Sequence, residues 1–289
     1  MELIRKVRDM QAWSEDRRAG GMKIGFVPTM GFLHEGHLSL VRRAREQCDR
    51  LVVSIFVNPM QFGPTEDLAD YPRDMARDLD LLAPIPVDVV FCPDPEEMYP
   101  PGFQTRVEVT DITRGLCGAF RPAFFTGVAT VVCKLFNIVR PHVAVFGEKD
   151  YQQLVTIRRM VADLNLNIAI EGGPVVREPD GLAMSSRNTY LSSEERASAL
   201  AIYQALKGAR ELIDQGARQA APVLSEVRGH IETQPLNRVQ YAVLVDPRTL
   251  EEFEIITGPT LLALAVFVGR TRLIDNMLFQ VDESGSPVS

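Results

Sequence analysis

Cysteine is scarce in this chain, and the four present, Cys48, Cys92, Cys117 and Cys133, form no CxxC pair and have no histidine at ligand spacing. That pattern argues against a zinc site or a disulfide framework and leaves small core residues suited to a reducing compartment. Long apolar runs are missing too. No segment nears the ~20 residues of a membrane-spanning helix, and the longest, residues 261–268, fits a buried strand. Nor is the chain basic: its formal charge is −7, whereas nucleic-acid binders carry a basic domain or stripe, so a transfer RNA or other nucleic-acid partner is not expected. The opening MELIRKVRDMQAW spreads charges where a secretory signal needs an apolar stretch. It reads as an amphipathic helix, and the protein is expected in the cytoplasm.

What is present suits two domains. At 289 residues the chain exceeds the usual ~100–200 of one core, and its 46% apolar and 24% charged residues allow a sizeable buried interior. From residue 22 to about 176, short β-branched runs alternate with helical periodicity, the pattern of a parallel sheet covered by helices. The apolar runs are 24–27, 51–57, 87–91, 143–146 and 168–170. Between two of them, Val128, Val131, Val132, Leu135, Phe136 and Val139 recur at helical spacing and define one buried face. This predicts a doubly wound, Rossmann-like α/β domain over 1–177. A polar stretch at 177–188 follows, and Ser192 with Glu195 forms a capping box that opens a long helix. Strands at 239–245, 261–268 and 272–279 complete a smaller α+β domain over 178–289, and residues 284–289 are expected to fray.

Open α/β sheets bind ligands at the carboxyl ends of their strands, and the polar constellations fall there. After the first run comes Pro28-Thr29-Met30-Gly31-Phe32-Leu33-His34-Glu35-Gly36-His37. A glycine turn entering a helix offers free N–H groups and the positive dipole end to an anion, with phosphate the natural guest. Histidines three apart at a helix start share a face and can both reach one phosphate, and Gly36 leaves room for a nucleotide ring. Gly147, Glu148, Lys149 and Asp150 follow a later run, where a lysine can serve as a mobile charge for a β- or γ-phosphate. Met184, Ser185, Ser186, Arg187 and Asn188 sit between the domains, two hydroxyls and a guanidinium able to grip a polyphosphate and close over it. The uncharged loop Asn58-Pro59-Met60-Gln61-Phe62, paired with Gln152 and Gln153, can orient a hydroxy acid. Taken singly, each set is also compatible with an ordinary surface helix start, solvated loop or polar linker.

In their order and spacing, VPTMGFLHEGHLSLV, VVSIFVNPMQF, DLADYPRD, FGEKDYQQL, DGLAMSSRNTYL and TRLIDN resemble the pantothenate synthetase (pantoate–β-alanine ligase) family, within the HIGH-motif nucleotidyltransferase superfamily. The resemblance covers nearly the whole chain. It implies that pantoate attacks the α-phosphate of Mg-ATP to give pantoyl adenylate and pyrophosphate, and that the β-alanine amine then releases pantothenate and AMP. It implies further that Met30, Gly31, Phe32, Leu33, His34, Glu35, Gly36 and His37 bind ATP, with His37 the proton donor and His34 a phosphate contact. Gly147, Glu148, Lys149 and Asp150 would line the nucleotide site and Val176 would contact adenine. Met184, Ser185, Ser186 and Arg187 would form the KMSKS-like loop on a lid domain. His34, His37, Lys149 and Arg187 thus make the expected catalytic set. Gln61 and Gln153 would take pantoate, with Gln61 also near β-alanine, and a homodimer is implied. Pantoate's carboxylate is ionised at neutral pH, so the chemistry needs positioning and charge neutralisation more than a strong base. His37 then acts as a hydrogen-bonding electrophile.

Two stretches depart from the family's pattern. Arg121-Pro122-Ala123-Phe124-Phe125-Thr126-Gly127-Val128 stands where RPGHFRGV is common, and Glu171-Gly172-Gly173-Pro174 differs slightly from the GxP form. Magnesium is expected with ATP, but its protein ligands are unassigned. Asp74, Asp78 and Asp80 are expected on a solvated helix face. The competing readings are a HIGH-type nucleotidyltransferase acting on a phosphorylated metabolite, which would want cations where the Gln61 loop is uncharged, and a silent nucleotide sensor.

Overall fold

The computed structural model describes residues 1–64 and 66–280, which divide into two compact units. The first takes in Met1–Arg114, Gly118–Glu148 and Gln153–Val175; the second holds Gly115–Cys117 and Lys149–Gln152 along with the chain from Val176 onward. The expectation for residues 284–289 lies outside the described residues.

The first unit is built on a parallel sheet of six strands: β1 (Glu2–Ile4), β2 (Ile24–Thr29), β3 (Arg50–Ile55), β4 (Val89–Phe91), β5 (Val143–Gly147) and β6 (Ala169–Gly173), in the order β1-β4-β3-β2-β5-β6. Its helices are α1 (Val7–Ala19), α2 (Glu35–Arg45), α3 (Met75–Leu82), α4 (Pro95–Met98), α6 (Phe124–Val139) and α7 (Tyr151–Asp163), the last starting just before this unit resumes at Gln153. The short α5 (Leu116–Phe120) begins in the second unit. Successive strand residues point to opposite faces, and both faces are buried. Phe26, Val52, Val89 and Phe91 join Met10, Val128, Val132 and Leu154 in one apolar layer, while Val27, Val53 and Val90 join Leu38, Val41 and Leu82 in the other. This double burial explains why the strands read as continuous apolar runs rather than alternating ones.

The N-terminus corrects one expectation. It opens with the edge strand β1, paired to β4 from Glu2 opposite Val89 to Ile4 opposite Phe91, and the helix begins only at Val7. An edge strand of three residues with Ile4 alone buried draws its stability from its neighbour, so little local patterning announces it.

The second unit pairs an antiparallel sheet, β7 (Asn237–Val245), β8 (Thr260–Val268) and β9 (Thr271–Phe279), with α8 (Ser193–Asp214) and α9 (Ala220–Glu232). The capping box is present: Ser192 Oγ accepts the Glu195 N–H at 3.2 Å, and Glu195 Oε2 accepts the Ser192 N–H at 2.8 Å. β8 is the central strand, and its apolar run enters a core with Ile202, Leu206, Val223, Val227 and Ile231.

Candidate active site

In the sheet order, β2 has β3 on one side and β5 on the other. The chain therefore leaves β2 in one direction and returns in the other, which makes this the switch point where an open α/β sheet forms its crevice. The loops after β2, β3 and β5 carry three of the four polar constellations.

The β2 loop is anchored by its own strand ends. Thr29 Oγ1 donates to Ser54 O at 2.8 Å and accepts the Gly31 N–H at 3.2 Å. Gly31 turns the chain at φ +82°, and a Cβ there would come within 3.0 Å of both Asp78 Oδ2 and Ile55 Cγ2, so glycine is required twice over. Phe32 follows at φ +48°. Asp78 holds this strained pair: its Oδ2 accepts the Phe32 N–H at 2.8 Å and its Oδ1 the Leu33 N–H at 2.7 Å. Asp78 thus overturns the expected solvated face, being 1% exposed. Burial pushes its carboxyl above the ordinary range, against the pull of the two N–H groups and the Arg77 charge. The sequence contains no cue to this role, because Asp74 and Asp80 flank it with the same side chain.

At the end of that loop α2 starts, with His34 as the N-cap in extended conformation (φ −140°, ψ 174°). His37 Nδ1 accepts the His34 backbone N–H at 3.3 Å, and the two imidazole rings lie 4.0 Å apart. A nitrogen that accepts a backbone N–H carries no proton itself, so the neutral His37 ring bears its hydrogen on Nε2. The structure therefore brings His34 and His37 together at a helix N-terminus, with the Nε2–H of His37 as a ring donor.

After β3, Asn58 starts a 3₁₀ turn (Pro59–Gln61) whose backbone packs against α6. The close approach needs Gly127, because a Cβ there would overlap Met60 O. Gln61 is 8% exposed, and its Nε2 lies 2.9 Å from Met30 Sδ, so the β2 and β3 loops meet. Arg121 grips this loop, donating to Glu66 through Nε at 2.6 Å and to Gln61 O through Nη2 at 3.2 Å, with its guanidinium 3.7 Å from the Phe124 ring centroid. In this departure from the family string, Phe124 supplies the stacking face. β5 ends at Gly147 and Glu148 follows it, and Gln153 sits half-buried on the first turn of α7. Gln152 does not serve as a free amide. Its Oε1 accepts the Cys117 N–H at 2.9 Å and its Nε2 donates to Gly115 O at 2.9 Å, which binds residues 115–117 into the second unit.

The second unit collects the remaining candidates. Val176 O accepts the Met184 N–H at 3.0 Å and Arg177 pairs antiparallel with Ala183, forming a narrow loop. Ser185 caps the 3₁₀ turn Ser186–Tyr190, its Oγ accepting the Arg187 N–H at 3.3 Å. Lys149 and Ser185 line one small cavity with Asn188 and Asp275. β9 supports them: Asn276 Nδ2 donates to Lys149 O at 2.9 Å, and Asp275 takes both Arg177 terminal nitrogens, at 2.6 and 3.0 Å. Burial raises the Asp275 carboxyl, while Arg177 pulls it down. The TRLIDN string thus contributes support for the lysine and the serine loop. Among the described residues no three His, Cys, Asp or Glu side chains group to hold a metal, and no helix is long and apolar enough to cross a membrane.

Comparison with known proteins agrees in every direction. The family model described as pantoate-beta-alanine ligase matches residues 2–278. The chain is 59% identical over 280 residues to pantothenate synthetase of Syntrophobacter fumaroxidans, covering 97% of this chain and 99% of that protein. It is 57% identical over 281 residues to that of Heliobacterium modesticaldum, covering 97% and 100%. Among solved structures, the Thermus thermophilus pantothenate synthetase superposes with a TM-score of 0.91 at 46% identity, over 96% of this chain and 99% of that one. The Francisella tularensis pantoate-beta-alanine ligase, complexed with beta-gamma ATP and beta-alanine, gives 0.80 at 35% identity, over 96% and 97%. With its sequence matched almost end to end and its fold shared, the chain belongs to the pantoate–β-alanine ligase family and is a ligase of that kind.

Proposed function

We propose that this ligase forms pantothenate in two steps through a pantoyl adenylate. A pantoate carboxylate oxygen attacks the α-phosphorus of ATP as the bond to pyrophosphate breaks; the β-alanine amine then attacks the acyl carbon, AMP leaves, and the amine loses a proton. The ATP and β-alanine complex of the Francisella tularensis relative supports the substrate assignment. The observation that carries the reading is the β2 loop: two imidazoles 4.0 Å apart at the N-terminus of α2, on a turn whose N–H groups are held by buried Asp78. The Asp78 clamp uses those two N–H groups to fix the turn, which leaves the His37 Nε2–H as a prepositioned donor, and a donor so preorganised stabilises charge on transferring phosphate oxygens without reorganising during reaction.

Met30, Gly31, Phe32, Leu33, His34, Glu35, Gly36 and His37 are assigned to ATP, with the His37 Nε2–H donating to a phosphate oxygen rather than acting as an obligatory acid. Gly147, Glu148, Lys149, Asp150 and Val176 take the nucleotide, and Lys149 neutralises charge on the departing pyrophosphate. Met184, Ser185, Ser186 and Arg187 close on the phosphates and keep water from the hydrolysable adenylate. Gln61 and Gln153 orient pantoate, and Gln61 also meets β-alanine. Magnesium is assigned to the nucleotide, in keeping with an ion that favours substrate phosphates plus one or two carboxylates. We also assign a cytoplasmic homodimer, which a monomer in sedimentation would contradict.

The test is mass spectrometry after supplying ATP and pantoate without β-alanine. The expected product is pantoyl adenylate with pyrophosphate. Pantothenate formation from all three substrates with no adenylate detected in their partial mixture would remove the intermediate, and no turnover at all would remove the function.

A further inference from the structure

Tyr99 follows α4 and lies outside every residue assigned above. Its ring packs between Phe56, at 6.2 Å between centroids, and Phe103, at 5.1 Å. Its hydroxyl donates to Asn58 Oδ1 at 2.7 Å. Burial pushes the phenol well above the usual tyrosine range, so it stays a neutral O–H.

The Asn58 amide, 1% exposed, can adopt only one orientation here. The Met60 backbone N–H, which can only donate, faces Oδ1 at 3.3 Å, and the Gly127 carbonyl, which can only accept, faces Nδ2 at 3.1 Å. Nδ2 therefore directs its other hydrogen to Gln61 Oε1, at 3.1 Å. With Tyr99 on the second lone pair, both acceptor sites and both donor sites of the Asn58 amide are used. The same logic passes to Gln61: its oxygen is occupied, and its Nε2 is turned toward Met30. Without the tyrosine hydroxyl, Oδ1 would retain only the longer bond to Met60, and the amide would be held by three hydrogen bonds instead of four, its shortest one lost.

We propose that Tyr99 is a positioning residue: acting through Asn58, it holds the Gln61 amide with its NH₂ toward the substrate, so that the site selects an acid presenting a hydroxyl or carboxylate oxygen as acceptor. The proposal rests on the assignment of Gln61 to pantoate. Tyr99→Phe removes one hydroxyl and keeps the ring. Losing a single hydrogen bond of this kind raises the KM for pantoate about 3- to 10-fold, while kcat and the KM for ATP stay close to wild type and the melting temperature falls by no more than about 4 °C. In a Gln61→Ala background the same substitution adds nothing, because its route to the substrate is gone.

An unchanged pantoate KM in Tyr99→Phe, an equal rise in both KM values, or an undiminished effect in the Gln61→Ala background would overturn the proposal. Should Gln61→Ala alone leave the pantoate KM unchanged, the assignment of Gln61 fails and the selectivity with it. The Gln61 side-chain NH₂ resonance, expected to shift and to exchange faster in Tyr99→Phe, then reports separately whether the relay exists.

Discussion

The two units hold their polar loops by different means. In the first, the β2 and β3 loops are fixed chiefly by buried side chains spent on the backbone, Asp78 on the Phe32 and Leu33 N–H groups and Asn58 on Met60 and Gly127, with the Arg121–Glu66 ion pair added on the β3 loop. In the second, the 177–188 segment is held by charge pairs, Arg177 with Asp275 and Arg196 with Glu178 and Asp180. A hydrogen bond to a buried backbone group fixes local geometry and is little affected by salt. An ion pair tolerates rearrangement and weakens where water reaches it. The first device suits the phosphate cradle proposed for the β2 loop, and the second the closing loop proposed for residues 184–187.

The comparison is broken most severely at Arg177. Its pair with Asp275 is largely buried, at 17% and 3% side-chain exposure, so Arg177→Ala strands a carboxylate and should cost about 3–5 kcal/mol in denaturant unfolding. A loss below about 1 kcal/mol, the range of exposed pairs, would mean that this unit does not depend on the pair. Lys149→Ala should leave both units folded but slow pyrophosphate release by about 10²–10³-fold, the usual loss for one preorganised transition-state contact; near-normal release would remove the lysine from the mechanism. Asp78→Asn places an NH₂ against a backbone N–H and should cost about 1–3 kcal/mol, with a raised KM for ATP, because the loop it clamps carries His34 and His37. An unaltered KM for ATP would separate the clamp from nucleotide binding.

The smallest effect concerns Arg196, which bridges Glu178 and Asp180, each at 2.6 Å. Partial burial pushes the Asp180 carboxyl up, but the Arg196 hydrogen bond, the Leu182 N–H and the Arg196 charge together bring it below its ordinary value. A carboxylate with a depressed folded pKa contributes stability fully above its unfolded pKa, ~3.9, and loses it as the pH falls through the folded value. With about a third of each side chain exposed, Arg196→Gln should cost no more than about 1 kcal/mol at neutral pH. The difference in melting temperature from wild type should shrink on acidification below about pH 4 and on adding salt. A gap that widens in acid would reverse the assignment.

Local chemistry alone made much of this protein legible. The apolar runs announced β2 to β6, the helical spacing of Val128 to Val139 announced α6, and Ser192 with Glu195 announced the start of α8, because periodicity and capping are short-range properties. The glycine turn before His34 likewise declared a helix N-terminus, but the N–H groups of Gly31, Phe32, Leu33 and His34, expected free for an anion, are spent on Thr29, Asp78 and His37. The roles of Asp78, Tyr99 and Asp275 lay beyond reach, since each depends on a partner 46, 41 or 98 residues away. The short strand β1 stayed hidden for the same reason, its identity coming from β4. Side-chain pattern thus determined which elements form and which loops gather polar residues at the strand ends. Only the packed structure decided which aspartate is buried, how the Asn58 and Gln61 amides are oriented and which glutamine is structural, because burial and donor direction are properties of neighbours brought together by folding.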